Sequence, residues 1–167
     1  MKILTLISLL CLCAPPGHAQ RSVTEYTSAQ RAALQKFIEA HPEYQFIPET
    51  WFEADTLAAA RNEWGFGKRF RPYYQTGDFN GDRLPDFAVI LLTGKDASDP
   101  KSGMHVVIFN GIRSGGYRVA HVEREDFSPA LFIQTAGKRL WVGIMETDSS
   151  GCFIPAGRGY IIEPCEP

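Results

Sequence analysis

The run "DFAVILL", residues 86 to 92, is apolar on both of its alternating sets: Phe87, Val89 and Leu91 on one side, Ala88, Ile90 and Leu92 on the other. Successive side chains of a strand point to opposite faces, so a strand with one wet face would alternate apolar with polar. This one does not, which predicts a central strand covered on both sides and a fold with layers above and below it. The rest of the chain fits that demand. From Phe70 onward, short runs rich in Val, Ile, Phe and Tyr ("RPYYQT", "MHVVIFN", "YRVAHV", "ALFIQT", "RLWVGIM", "GYIIE") alternate with turn clusters, which reads as strands. Asn110-Gly111 with Ser114-Gly115-Gly116 brackets one hairpin connection, and Ala136-Gly137-Lys138 makes another.

The N-terminal part has a different period. Thr27 and Gln30 stand at capping-box spacing, and Ala33, Leu34, Phe37 and Ile38 recur at helical intervals until His41-Pro42 ends the pattern. A second helix is expected from Thr50 to Gly65, capped by Thr50 with Glu53 as its capping partner or by Asp55 instead, and "EYQFIPE" between the two reads as extended. Helices followed by successive hairpins describe an α+β fold, with N-terminal helices packed on an antiparallel meander, a single blade-like sheet. The length of 167 residues suits one domain.

The loop that feeds the central strand, "GDFNGDRLPDF", crowds three carboxylates and an asparagine together. Counted from Asp78, side-chain oxygens fall at positions one, three and five (Asp78, Asn80, Asp82) and at nine (Asp86), with the Leu84 carbonyl at seven. Unneutralised carboxylates this close raise one another's pKa and weaken the fold. A hard cation that accepts about six to eight oxygens, calcium above all, turns the repulsion into attraction. An EF-hand is excluded, because its glycine at the sixth position and glutamate at the twelfth are Arg83 and Val89 here. Magnesium prefers a rigid octahedral shell with several waters, and zinc finds no histidine or thiolate in the loop. The competing reading is an Asp/Asn/Gly turn with solvated carboxylates and no ion.

"GDFNGDRLPDFAVILL" resembles the calcium loop and following strand of FG-GAP or VCBS repeats, the units of integrin-α-type propellers. The resemblance implies one calcium ion held by Asp78, Asn80, Asp82 and Asp86 through side chains and by Leu84 through its carbonyl. Arg83 departs from it, standing where that family usually has glycine; a left-handed backbone there costs Arg roughly 1 kcal/mol. The loop occurs once, whereas a closed propeller takes about four to eight blades, so no closed propeller is expected.

Lys2, the apolar run Ile3 to Ala14, and small residues at Gly17 and Ala19 form a signal-peptide pattern, with cleavage expected before Gln20. The run is shorter than the about 20 residues that span a bilayer, so no membrane span is expected after cleavage. Cys11 and Cys13 lie in the leader, and neither follows the small residue that a lipidation site would place there. The mature domain, 20–167, is thus expected in the periplasm or secreted. Its remaining cysteines, Cys152 and Cys165, read as one disulfide in an oxidising compartment.

With 17 basic and 19 acidic residues intermixed and a net charge of −2, nothing draws the chain to nucleic acid or an anionic membrane. The sequence has no G-x-S-x-G elbow, no H-E-x-x-H and no phosphate loop, so no catalytic machinery is expected. His105 and His121 lie in neighbouring strands where they could face each other, and Glu123, Glu125 and Asp126 follow as paired carboxylates that a glycan hydrolase could use. Arg69, in "GFGKRFRPYY", and Phe153 with Ile154, in a turn-rich segment tied by the disulfide, are the expected partner contacts. In size, export and lone loop the chain resembles periplasmic lysozyme inhibitors and immunity proteins. That implies a calcium-binding module of the cell envelope whose partner is a protein such as a cell-wall-degrading enzyme. A hydrolase and a structural or adhesive envelope module are the alternatives.

Overall fold

The computed structural model describes residues 26–94 and 102–165. The expected leader, residues 1–19 with Cys11 and Cys13, lies outside them. Among the described residues the order is helix α1 (Ser28–Ala40), strand β1 (Tyr44–Phe46), a 3-10 turn (Glu49–Trp51) and helix α2 (Ala54–Asn62). Strands then follow: β2 (Tyr74–Gly77), β3 (Asp86–Thr93), β4 (Gly103–Gly111), β5 (Tyr117–Glu125), β6 (Leu131–Ala136), β7 (Arg139–Ile144), β8 (Ser150–Ala156) and β9 (Gly159–Pro164).

Helix α1 starts where its cap dictates. The Thr27 hydroxyl accepts from the Gln30 amide at 3.2 Å, and the Gln30 side chain accepts from the Thr27 amide at 2.8 Å. The second helical stretch is broken. Phe52 takes an extended conformation and is buried beside Tyr73, their ring centroids 6.1 Å apart, so only Ala54–Asn62 continues as helix. Burying one large aromatic side chain is worth about 1.5–3 kcal/mol, more than the short extra length of helix it interrupts.

The strands form two open antiparallel sheets. The first has the order β1-β3-β4-β5, with β2 also on β3, and the second runs β6-β7-β8-β9. Strands β1 and β2 share one edge of β3 end to end: Tyr44 to Phe46 pair with Thr93 to Leu91, and Tyr74 to Gly77 with Val89 to Asp86. The single blade expected from the hairpin series is therefore two sheets. The reason lies in β3 and β4, whose two faces both carry apolar side chains that require cover.

Phe87, Val89 and Leu91 join Val107 and Phe109 of β4 in one cluster with Leu34 and Phe37 of α1. Ala88, Ile90 and Leu92 join Met104, Val106 and Ile108 in the other, with Ile133, Leu140, Val142 and Phe153 of the second sheet. Within the first cluster Phe87 and Phe109 stack face to face, 4.4 Å between centroids. Residues Pro72 and Tyr73 stitch the sheets together: the Pro72 carbonyl accepts from Ile133 of β6 at 2.8 Å and the Tyr73 carbonyl from Ile90 of β3 at 3.0 Å.

Candidate functional site

The acidic loop closes the hairpin from β2 to β3, whose facing end residues are Gly77 and Asp86. It turns through two left-handed residues, Gly81 at φ +76° and Arg83 at φ +69°. Glycine takes that conformation freely and arginine does not. The Arg83 amide is held there by donating to Asp78 Oδ2 at 3.1 Å. Two further local bonds shape the tip: the Asp82 amide donates to Asn80 Oδ1 at 2.9 Å, and the Leu84 amide to Asp82 Oδ1 at 2.8 Å. These are the Asx-turn contacts that short polar side chains offer their own backbone.

Asp86 differs from the others in being fully buried, at 0 % exposure. Its Oδ2 accepts the Phe79 amide at 2.8 Å and its Oδ1 the Gly111 amide at 2.9 Å. Burial pushes its carboxyl above the ordinary range; the amides of Gly111, Phe79 and Asn80 pull it back, and the charge of Asp82 adds to the rise. Gly111 has to be glycine here, because a Cβ on it would stand 2.6 Å from the Pro85 carbonyl oxygen. Next to it, Asn110 accepts the Tyr160 hydroxyl at 2.8 Å. Burial first, and then the negative charge of Asp86, raise the phenol of Tyr160, which stands at the start of β9. In the sequence Asn110-Gly111 reads as a turn signal and Tyr160 as a strand residue. A polar asparagine closing an apolar strand was the available sign of a buried partner.

The four oxygen-bearing side chains thus share one loop, each tied to a backbone amide or to its neighbour. Among the described residues no group of three or more His, Cys, Asp or Glu side chains is placed to hold a metal ion. One atom is out of balance: Asp78 Oδ1 is buried and accepts no hydrogen bond. A buried, unpaired carboxylate oxygen is costly unless a cation or water reaches it.

Cys152 of β8 and Cys165, just past β9, are joined by a disulfide with Cα atoms 5.1 Å apart. Phe153, expected at an exposed loop tip, is instead an inward-facing residue of β8 at 0 % exposure, packed in the core between the sheets. It has no surface to give a partner. Ile154, on the opposite side of the same strand, is half-buried, and Arg69 is exposed.

The histidines do not face each other. His105 pairs with Arg124 and His121 with Ile108, on opposite faces of the first sheet. His105 lies 3.0 Å from the Thr93 hydroxyl and edge-on to Tyr44; burial first, and then Arg124, lower its pKa. His121 Nε2 lies 3.0 Å from Glu123 Oε2. Glu125, two residues further along the strand, is raised by burial and then by the charges of Glu123 and Asp126. No helix among the described residues is long and apolar enough to cross a membrane. No family model, no curated protein and no solved structure matches this chain.

Proposed function

We propose that the 78–86 loop takes up one calcium ion in an exported, non-catalytic binding module whose partner is a protein of the cell envelope, a cell-wall-degrading enzyme being the class that inhibitor and immunity proteins address. The observation that carries the metal reading is Asp78 Oδ1, buried and unpartnered in the same loop as Asn80, Asp82 and Asp86. Carboxylate oxygens that accept one amide keep a second lone pair, so the bonds within the loop leave acceptor capacity for an ion. Asp78, Asn80, Asp82 and Asp86 would hold it through side chains and Leu84 through its carbonyl. When bound, the ion supplies positive charge beside a carboxyl that burial otherwise pushes up. The donor set is all oxygen, which suits calcium over zinc.

The disulfide fits an oxidising compartment. Arg69 is exposed and Ile154 half-buried, which suits them to partner contact. The metal reading is tested by calorimetry on chelator-stripped protein, where a one-site heat of calcium uptake is expected and its absence removes the ion. The partner reading is tested by pull-down from envelope extract, with a stoichiometric complex expected.

A hydrolase is the second reading, favoured by the His121–Glu123 contact and the raised Glu125 carboxyl on one face of β5. Turnover of a cell-wall glycan that Glu125→Gln abolishes without loss of stability would establish it in place of the first.

A further inference from the structure

An open hollow of about 320 Å3 lies where the turn after α2 meets β2 and β6. Lys68 and Arg69 stand on one side of it, Gln75, Gln134 and Thr135 on the other, and Phe66 contributes apolar surface. No carboxylate lines it. Both cations are exposed, and neither pairs with an acidic side chain among the described residues. Their turn is fixed by Gly67 at φ +86° and by the Phe70 amide, which donates to the Gly67 carbonyl at 2.9 Å.

The polar wall is equally set. The Gln75 amide nitrogen donates to the Arg71 carbonyl at 3.2 Å, and the Thr135 hydroxyl of the other sheet lies 3.4 Å from both the Gln75 side-chain oxygen and the Thr76 carbonyl, either of which can accept its proton. The Gln134 amide has no partner among the described residues.

Each part of this lining narrows the ligand. Two unpaired cations call for an anion, and a neutral occupant would desolvate them without return. Side-chain amides and a hydroxyl both donate and accept, which matches hydroxyl groups on the ligand; a purely apolar acid would leave Gln134 unpaired. The volume is at the lower end of the range of roughly 300–1,000 Å3 typical of small-ligand sites, more than a lone carboxylate fills.

We infer that this hollow binds an acidic sugar unit, with its carboxylate between Lys68 and Arg69, its hydroxyls on Gln75, Gln134 and Thr135, and its C–H surface against Phe66. This goes beyond the calcium loop and the protein partner, shares Arg69 with the proposed partner contact, and requires neither the ion nor that partner.

The test is NMR titration of the full chain with a trimer of galacturonic acid, run in chelator because uronates themselves take up calcium. A neutral galactose trimer, inorganic phosphate and a glutamate-rich peptide are the comparison probes. The acidic trimer is expected to shift the amides of Arg69, Gln75 and Gln134, to bind at least about tenfold more weakly to Arg69→Gln, and to lose affinity as salt rises. Gln134→Ala, which leaves the charge in place, is expected to weaken the sugar and leave phosphate unchanged. No shifts at the hollow, equal binding of the neutral trimer, or equal competition by phosphate or the peptide overturns the assignment. Melting of each variant confirms that these surface changes leave the fold intact.

Discussion

The Gly111 amide donates to the buried carboxylate of Asp86 at 2.9 Å, joining residues 25 apart in the sequence. The bond ties the end of β4 to the start of β3, at the point where the acidic loop enters the core. Asp86 receives the Phe79 amide as well, so one side chain holds loop, strand and hairpin together.

Asp86→Ala should therefore destabilise the fold by about 3 kcal/mol, since two buried amides lose a charged acceptor and hydrogen bonds to charged groups contribute about 1.5–3 kcal/mol each. Asp86→Asn keeps one acceptor oxygen and should cost about half as much. Urea unfolding at neutral pH in chelator measures both. Equal, small losses would show that the carboxylate is not the fastener.

Asp82 is exposed, and its Oδ1 accepts only the local Leu84 amide at 2.8 Å. Asp82→Ala should cost the metal-free protein little, on the order of 0.5–1 kcal/mol. It should, however, remove the rise in Tm expected of the parent in calcium, equivalent to about 2.7 kcal/mol at a hundred times the dissociation constant. A calcium-dependent rise that survives the substitution would place the ion elsewhere.

Phe153→Ala separates two descriptions of one residue. As a core side chain at 0 % exposure it should cost about 3–5 kcal/mol on truncation. As an exposed loop tip it would cost little and change only binding. Chemical denaturation decides, and a loss below about 1 kcal/mol would reject the position it holds in β8.

That residue also marks where the sequence stops being informative. The two-sided apolarity of β3, the capping box of α1 and the pairing of Cys152 with Cys165 are local or composition-level signals, and all three are in the structure. Strand β8, "SGCFIPA", carries Gly151 and Pro155, which speak for a turn. It is a strand because β7 and β9 flank it, and Pro155 is tolerated because it lies past Phe153, the last residue paired with β7. Such cover comes from residues far along the chain and leaves no periodicity to read. The split into two sheets has the same origin. In the loop, the oxygen-bearing side chains could be read from spacing and type, and the left-handed backbone of Arg83 only from the resemblance, whose pattern has glycine there. The amides they bind could not, since the Gly111 partner of Asp86 is set by β4.

The disulfide closes β8 and β9 over a separation of 13 residues. In the chain-entropy account a loop of this size contributes about 3 kcal/mol by restricting the unfolded chain. Reduction should lower Tm accordingly, and Cys152→Ala with Cys165→Ala should reproduce the loss without reductant. A melting point indifferent to both would mean that β9 is held by its ladder and by the Tyr160 bond to Asn110 alone.

Glu125 gives the pH dependence a definite sign. Burial, and after it the charges of Glu123 and Asp126, hold its carboxyl above the ordinary value in the folded protein. As pH rises through the ordinary carboxylate range, the unfolded chain therefore releases this proton first, and folding stability falls until pH passes the folded pKa, beyond which it is level. Glu125→Gln removes the penalty. The variant should match the parent near pH 3, where the parent carboxyl is protonated in both states, and melt higher at pH 7. Thermal unfolding of the two proteins across that interval checks the sign, and a variant that melts no higher than the parent at neutral pH would mean that burial does not penalise the charged carboxylate.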